Sequence, residues 1–189
     1  MTWVDCQPGY EFCSIPDLKQ GPQFHLRDRT GCGENDPNGI VFDPYHGVAH
    51  HFFQKHLAAP PGGGPVYGHF VSKDLIKYAA LPVAIWNGFD YASSPPRVTT
   101  WDDQAIYTGT AFVVDGAGPK GKGPGVVNLF PGLCKKDYYS QCAEHPGTGT
   151  GTVLAQAVPA DYGNDVLLVN WCVAVFRQSP FHRIFARLI

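Results

Sequence analysis

The chain has 189 residues, of which 44% are hydrophobic and 16% charged, and 14 Lys and Arg against 16 Asp and Glu leave a net charge of -2. That length suffices for one domain with a core. The lack of a long basic run argues against nucleic-acid or anionic-membrane partners. No stretch is apolar enough to cross a bilayer, and the first residues lack the charged and apolar regions of a signal peptide.

Composition favours a loop-rich β protein over a helical one, because the chain holds 22 Gly and 17 Pro and 13% aromatic residues. The six cysteines include no Cys-x-x-Cys pair, which argues against a zinc ribbon or a thioredoxin-like site. They stand at positions 6, 13, 32, 134, 142 and 172. An even count in such a chain is typical of a secreted, disulfide-bearing protein, and scattered buried thiols are an equal alternative.

In the first half of the chain, short β-branched and aromatic runs alternate with turn residues. Residues 39–42 are predicted as a strand that ends at an Asp43-Pro44 turn, and residues 48–54 as the next strand. Alternation in the second strand predicts two faces, one with Val48, His50, Phe52 and Gln54 and the other with Ala49, His51 and Phe53. Residues 67–72 are a third predicted strand, after which Asp74 is expected to open one helical turn.

The second half continues this pattern. Residues 110–115 are predicted as a strong strand, 116–125 as a low-complexity turn or linker, and 166–175 as a last strand. Residues 134–152 are expected to form a polar surface excursion, which a Cys134–Cys142 bridge would pin. Strands without intervening helices favour a sandwich, a barrel or a propeller, and periodicity does not choose among them.

The most distinctive string is Glu34-Asn35-Asp36-Pro37-Asn38-Gly39. As a bare string of turn-forming residues it is most simply a tight turn. A functional interpretation requires Asp36 to stand at the start of a strand and to point into a pocket. Pro37 would then fix the backbone after it, and Asn35 and Asn38 would offer amides to the hydroxyl groups of a ligand.

The order of the following segments favours the functional interpretation. After ENDPNG come HHFFQ at 50–54, YGHFVSKDLIKYAALPVAI at 67–85 and YTGTA at 107–111. This succession resembles glycoside hydrolase family 32, the invertases, inulinases, levanases and related fructosyltransferases. The corresponding motifs of the family are, in order, Asn-Asp-Pro-Asn-Gly, a His-x-Phe-Tyr-Gln strand, Trp-Gly-His-x-x-Ser-x-Asp-Leu and Phe-Ser-Gly-Ser. The resemblance covers about residues 25 to 115.

The resemblance implies that Asp36 is the nucleophile of a retaining β-fructofuranosidase, with sucrose or a fructan as the small-molecule substrate and no cofactor or metal. Seven further residues match positions that line the fructose subsite: Asn35, Pro37, Asn38, Gln54, Tyr67, Tyr107 and Thr108. Tyr67 stands where the family has the Trp before Gly-His, and Tyr107 and Thr108 stand where it has Phe-Ser. These departures leave the substrate preference open.

The family also uses a Glu in a Glu-Cys motif as general acid, preceded by an Arg-Asp-Pro motif whose Asp steadies the transition state. Neither motif occurs in this chain, whose three glutamates are Glu11, Glu34 and Glu144. Glu144 resembles the acid's motif only superficially and is interpreted as a surface-loop residue. We therefore expect that the catalytic set is incomplete in this chain and that the proton donor is encoded elsewhere.

The resemblance further implies an all-β, five-bladed β-propeller, of which this chain supplies about the first two blades. The expected organisation is an N-terminal extension over 1–24, the partial propeller domain over 25–175, and an atypical tail over 176–189 that suggests a gene-model artefact. An extracellular or vacuolar location is expected for the parent protein. A fructosyltransferase and a non-catalytic fructose-binding or sucrose-binding propeller are the alternative functions.

A cluster of histidines invites a metal hypothesis, which the sequence does not favour. His46, His50, His51 and His56 lie close together in the chain, but strand geometry sends His50 and His51 to opposite faces. No His-Glu-x-x-His motif accompanies them. There is likewise no Gly-x-Ser-x-Gly string for a serine hydrolase and no phosphate-binding loop.

Overall fold

The computed structural model describes residues 26, 33–56, 64–88, 101–102, 104–135, 143–144 and 150–175. Within these residues the chain forms strands and one short 3-10 helix, Pro119–Gly121. The strands are β1 Gly33–Asp43, β2 Val48–His56, β3 Val66–Ser72, β4 Ala79–Ile85, β5 Ala105–Ile106, β6 Thr110–Asp115, β7 Pro124–Lys135, β8 Ala143–Glu144, β9 Thr150–Pro159 and β10 Trp171–Val175. The prediction of an all-β chain is confirmed.

The first sheet is an antiparallel meander in the order β1-β2-β3-β4. Strand β2 is central and largely buried, and its side chains alternate as predicted, with Phe52 in the core and Phe53 on the opposite face stacked on Phe70. Pairing of Val41 with His50 fixes the register between β1 and β2. Strand β1 pairs with β2 alone, so it forms one edge of this sheet.

The second sheet has six strands but, like the first, is four strands wide. The short β5 and the longer β6 pair with successive parts of β7, β9 pairs with the other edge of β7, and β8 and β10 pair with β9. Each sheet thus has the strand number and antiparallel order of one propeller blade. The prediction of about two blades is confirmed.

The two sheets bury one hydrophobic core between them, and β1 meets β6 across it. Gly39 makes this approach possible. A Cβ at Gly39 would stand 2.3 Å from the backbone nitrogen of Ala111, and Gly39 has φ +118°, which side chains disfavour. The edge strand of the first sheet therefore lies directly against the first long strand of the second.

Three long strands were not predicted from the sequence, and neither were the two-residue strands β5 and β8. Strand β4 includes Leu81-Pro82, β7 begins at Pro124 and contains Pro131, and β9 starts inside the predicted surface excursion of 134–152. Prolines mark turns or edge positions in a sequence, so they concealed β4 and β7. Residues 110–115 form β6 as predicted, and the predicted turn after it ends at Gly123 because Pro124 begins β7.

Two local predictions, a helical turn at Asp74 and a strand from residue 166, were wrong. At both places an aspartate carboxylate accepts backbone N–H groups and stabilises a turn. Asp74 does not open a helix: its Oδ1 accepts the N–H groups of Ile76 and Lys77 at 2.9 and 2.7 Å and forms a hairpin turn. The predicted strand 166–175 exists only from Trp171 onward. Before it, Asp165 Oδ2 accepts two backbone N–H groups, from Val169 and Asn170, and holds a turn.

Two further predictions concern the β1–β2 turn and the cysteines. The Asp43-Pro44 turn is confirmed, with the N–H of Gly47 bonded to the carbonyl of Asp43 at 2.9 Å. Cys134 is disulfide-bonded. Its proposed partner, Cys142, lies outside the described residues, so the Cys134–Cys142 pairing stays a prediction. The predicted extension 1–24 and the tail 176–189 also lie outside them.

Candidate active site

Three polar side chains predicted from distant parts of the sequence meet where the two sheets adjoin. Thr108 Oγ1 donates a hydrogen bond to Asp36 Oδ2 at 2.6 Å. Gln54 Nε2 lies 2.6 Å from the Thr108 hydroxyl oxygen and 3.5 Å from Asp36 Oδ2. Asp36 comes from β1, Gln54 from β2, and Thr108 from the link between β5 and β6, so both sheets contribute to the site.

The direction of these hydrogen bonds follows from the chemistry of the groups. The Gln54 amide nitrogen can only donate, so the Thr108 oxygen accepts from it and must direct its single hydroxyl proton to the carboxylate. A hydrogen bond to a carboxylate is charge-assisted and about twice as strong as a neutral one. Asp36 is therefore held at one oxygen by a donor that is itself fixed by Gln54.

The three side chains differ in their exposure to solvent. Gln54 is buried, whereas Asp36 and Thr108 are exposed. A carboxylate that must attack a ligand needs this combination, an oriented side chain that solvent and substrate can still reach.

The string around Asp36 is a bulged strand and not a tight turn. All of residues 34–39 belong to β1, whose pairing with β2 shifts register between Glu34 and Pro37 and again between Pro37 and Gly39. Pro37 is tolerated because β1 is an edge strand, where a missing N–H breaks no second ladder. Bulges redirect side chains, and this one lies beside Asp36.

The remaining predicted site residues differ in accessibility. Asn35 and Pro37 are exposed beside Asp36, and the Tyr107 side chain is also exposed. Asn38 is fully buried, and within the described structure neither of its amide atoms has a hydrogen-bond partner. Tyr67 is fully buried as well, with its hydroxyl bonded to the carbonyl oxygen of Tyr107 at 3.0 Å. Of these five residues, Asn35, Pro37 and Tyr107 are therefore open to solvent, and Asn38 and Tyr67 are not.

A second polar network, which the sequence did not indicate, lies at the other end of β1. The buried Asp43 carboxylate accepts hydrogen bonds from His46 Nδ1 at 2.6 Å and from the Tyr162 hydroxyl of the β9–β10 turn. Burial alone would raise the pKa of Asp43, but these bonds and two from backbone N–H groups lower it below the ordinary 3.8. Tyr162 thus ties the second sheet to the first.

Two of the histidines form a buried pair next to this network. His50 Nδ1 and His69 Nε2 are 2.9 Å apart, and His69 stacks on Phe52. Burial lowers the pKa of His50 from 6.5 to about 4, against the attraction of Asp43, and lowers that of His69 well below 6.5. Both rings are therefore neutral at neutral pH. Among the described residues no group of three or more His, Cys, Asp or Glu is placed to hold a metal ion.

Two of the three glutamates lie in described strands. Glu34 is exposed near the start of β1, and Glu144 lies in β8, which pairs with β9 in the second sheet. Glu11 lies outside the described residues.

In the part of the chain that the structure describes, no helix is long and apolar enough to pass through a membrane.

Comparison with known proteins identifies relatives of this chain. Residues 25–153 match the Glycosyl hydrolases family 32 N-terminal domain. The chain is 33% identical over 162 residues to the vacuolar acid beta-fructofuranosidase 4 of Arabidopsis thaliana, covering 85% of this chain and 21% of that protein. It is 42% identical over 73 residues to the levanase of Bacillus subtilis, covering 39% of this chain and 10% of the levanase.

A solved structure shares the fold. The glycoside hydrolase family 32 protein of Bifidobacterium adolescentis superposes with a TM-score of 0.51 at 15% sequence identity, over 82% of this chain and 22% of that one. At this identity the likeness concerns the fold alone. The chain spans about a fifth or less of the length of these relatives.

Proposed function

The chain belongs to glycosyl hydrolase family 32, and from that premise we propose that it carries the nucleophile of a retaining β-fructofuranosidase. The proposed substrates are terminal β-fructofuranosides, such as sucrose or a fructan. The names of its relatives, a beta-fructofuranosidase and a levanase, support this substrate class. The observation that carries the proposal is the short Thr108–Asp36 hydrogen bond, which orients an exposed carboxylate.

In the proposed reaction, Asp36 attacks the anomeric carbon of the fructosyl unit. Both contacts from Thr108 and Gln54 reach Oδ2, so we assign the attack to Oδ1. The bond from the anomeric carbon to the leaving oxygen breaks as the bond to Oδ1 forms, which gives a covalent fructosyl-aspartate. Water then attacks the same carbon from the opposite side, so the configuration is retained over the two steps.

Departure of an alcohol also needs a proton donor, which retaining glycosidases place about 5–5.5 Å from the nucleophile. We propose that none of Glu11, Glu34 and Glu144 has this role, since none of them stands in a Glu-Cys motif. A fluoride leaving group needs no such proton. The step that Asp36 performs can therefore be tested separately with an activated donor.

The test measures fluoride release from β-D-fructofuranosyl fluoride by the full chain. Asp36→Asn should lower the rate by at least about a thousandfold, the size of effect that loss of a nucleophile has in other hydrolases. The matched control is Glu34→Gln, which neutralises a nearby exposed carboxylate of the same strand and should leave the rate unchanged. Equal rates for the wild type and Asp36→Asn would refute the proposal.

The products separate the related functions. Free fructose indicates hydrolysis, whereas a fructosylated sugar formed in the presence of added sucrose indicates transfer. Saturable binding of fructose without any fluoride release would favour a sugar-binding protein that has kept the subsite.

A further inference from the structure

Tyr67 joins the two sheets directly behind the Asp36 site. It stands on β3 of the first sheet, and its hydroxyl donates a hydrogen bond to the carbonyl oxygen of Tyr107 at 3.0 Å. The backbone of Gly109 lies against the same hydroxyl oxygen. The chain on both sides of Thr108 is therefore in contact with a single atom.

The Tyr67 hydroxyl and the segment beside it are closely packed. Tyr67 is fully buried, and its ring lies 5.3 Å from that of Phe130 between centroids. A Cβ at Gly109 would come within 2.1 Å of the Leu129 carbonyl oxygen and 2.5 Å of the Tyr67 hydroxyl. Glycine is thus the residue that allows the backbone to approach the hydroxyl so closely. The N–H of Tyr107 is also bonded, to the carbonyl of Pro131 at 2.9 Å.

Resting on the proposed function, we propose that Tyr67 is a positioning residue, whose hydroxyl fixes the peptide groups flanking Thr108 and so keeps the Thr108 hydroxyl on the Asp36 carboxylate. The sequence alone predicted that Tyr67 would contact the sugar. A fully buried ring whose hydroxyl bonds the Tyr107 carbonyl and packs against Gly109 is better suited to hold the segment that carries Thr108. Tyr67 then acts on the nucleophile through Thr108 and does not touch the substrate.

The chemistry of the hydroxyl explains why this position needs tyrosine. A hydroxyl donates one hydrogen bond, here to the Tyr107 carbonyl, and its oxygen can still accept from the neighbouring Gly109 backbone. Phenylalanine would leave the Tyr107 carbonyl without this donor. Tryptophan, which the resemblance places at this position in the family, has an N–H that only donates and could serve the Tyr107 carbonyl alone.

The test compares Tyr67→Phe with Tyr162→Phe in the full chain. Tyr162 is the matched control, because its hydroxyl is also buried and also joins the two sheets, but at the Asp43 end of β1. We expect Tyr67→Phe to speed native-state amide exchange at Gly109 by about tenfold relative to the rest of β6 and β7, because loss of the bond to the Tyr107 carbonyl loosens the segment. It should also shift the carboxyl carbon-13 resonance of Asp36.

Tyr162→Phe should lower the midpoint of urea unfolding while leaving the Gly109 exchange rate, measured relative to the same strands, and the Asp36 resonance as in the wild type. The proposal is overturned if the two variants change these signals equally, or if Tyr67→Phe leaves the Asp36 resonance in place. If the wild type releases no fluoride from the activated donor but Tyr67→Phe still moves the Asp36 resonance, the proposed function fails and the positioning role stands.

One measurement needs no variant and applies even if Tyr67→Phe does not fold. In the unmodified chain, the Tyr67 hydroxyl proton should give a separate, slowly exchanging NMR signal with a cross-peak to the Gly109 N–H. A hydroxyl proton that exchanges with water as fast as that of an exposed tyrosine would contradict the proposal.

Discussion

At the scale of the residue, Thr108 is the group through which the rest of the site acts on Asp36. It accepts from Gln54 and donates to Asp36, both at 2.6 Å. The carbonyl of its neighbour Tyr107 accepts a hydrogen bond from the Tyr67 hydroxyl, and its other neighbour, Gly109, packs against that hydroxyl. The orientation of one exposed carboxylate thus depends on two buried side chains from the first sheet.

The first prediction removes the Thr108 hydroxyl while keeping the shape of the side chain. Thr108→Val should lower the rate of fluoride release by about ten- to a hundredfold, because a hydrogen bond to a charged group contributes about 1.5–3 kcal/mol. The free energy of unfolding should change little, since Thr108 is exposed. Initial rates and urea unfolding measure the two effects separately.

Thr108→Ser serves as the control, because serine keeps a hydroxyl at the same place and should retain most of the rate. A Thr108→Val variant as fast as the wild type would show that the Thr108–Asp36 bond does not matter for the reaction.

At the scale of the element, β1 carries both the nucleophile and the contact between the sheets. Its bulge lies next to Asp36, and Gly39 lies against the backbone of Ala111 two residues into β6. Because Gly39 follows Asp36 by three residues, we expect this close backbone contact to influence where Asp36 stands relative to Thr108.

The second prediction tests this close approach. Gly39→Ala places a Cβ 2.3 Å from the Ala111 nitrogen at φ +118°, so the strands must separate. We expect a loss of about 3 kcal/mol or more in the free energy of unfolding, because strained backbone and overpacking combine. Urea unfolding followed by tryptophan fluorescence measures the loss.

The matched control is Gly33→Ala in the same strand, where a Cβ would meet no atom within 4 Å. It should change the stability by less than about 0.5 kcal/mol. If Gly39→Ala were as stable as Gly33→Ala, the contact between β1 and β6 would not hold the sheets as described.

The elements also show which parts of the fold can be predicted from sequence. Strand β6 was predicted at its observed bounds because apolar and β-branched residues fill it and Gly116 ends the run. Strand β7 was missed since Pro124 and Pro131 resemble turn residues, although both fit a strand whose neighbours β6 and β5 are interrupted. Periodicity within one segment cannot report such pairing.

The candidate site was predicted only in part. The order of motifs brought Asp36, Gln54 and Thr108 together in the prediction, and the structure brings the same three side chains together. The burial of Tyr67 and Asn38 was not predictable, because it depends on how the second sheet packs on the first. The Asp43–Tyr162 contact joins residues 119 positions apart and left no local signal.

At the scale of the whole molecule, the two sheets are joined at both ends of β1. Near Asp36 the joining groups are Thr108 and Tyr67, and at the far end Tyr162 donates to Asp43. Titratable groups are concentrated at this far end. The neutral His50–His69 pair lies beside Asp43, and we expect it to make this end sensitive to pH. The other titratable groups close to the pair or to Asp43 are His46, His51, Tyr45 and Asp165.

The third prediction follows from the pKa of His50, which is about 4 in the folded chain and 6.5 ordinarily. Between these values the unfolded chain binds a proton that the folded chain does not, so stability falls as the pH falls. His50 alone should make the protein about 2 kcal/mol less stable at about pH 5 than at about pH 7. Asp43, whose pKa is lowered, contributes stability that is lost only at still lower pH.

Urea unfolding across this pH range measures the effect. In the double variant His50→Gln/His69→Gln, which cannot bind these protons, the dependence between about pH 5 and pH 7 should be much flatter. His56→Gln, outside the pair, is the control and should leave the slope as in the wild type. A double variant with the wild-type slope would contradict the assignment of this dependence to the histidine pair.

The fourth prediction concerns the outer faces of the sheets. Large apolar side chains are exposed on both sheets, and they include Ile40 (62%), Phe42 (57%), Leu154 (51%) and Val173 (42%). Exposed apolar surface promotes association. The chain alone should therefore self-associate with rising concentration, and Ile40→Lys/Phe42→Lys should reduce this association in sedimentation velocity. A wild-type chain that stays monomeric at high concentration would contradict the prediction.

The measurement that tests the central claim most directly is the location of the covalent fructosyl group. The chain is mixed with β-D-fructofuranosyl fluoride, quenched rapidly in acid, digested and mapped by mass spectrometry. We predict one fructosyl unit on the peptide that contains Asp36, attached to that carboxylate and missing from Asp36→Asn. Fluoride release with the label on another carboxylate, or with an unchanged label in Asp36→Asn, would contradict the assignment of Asp36 as the nucleophile.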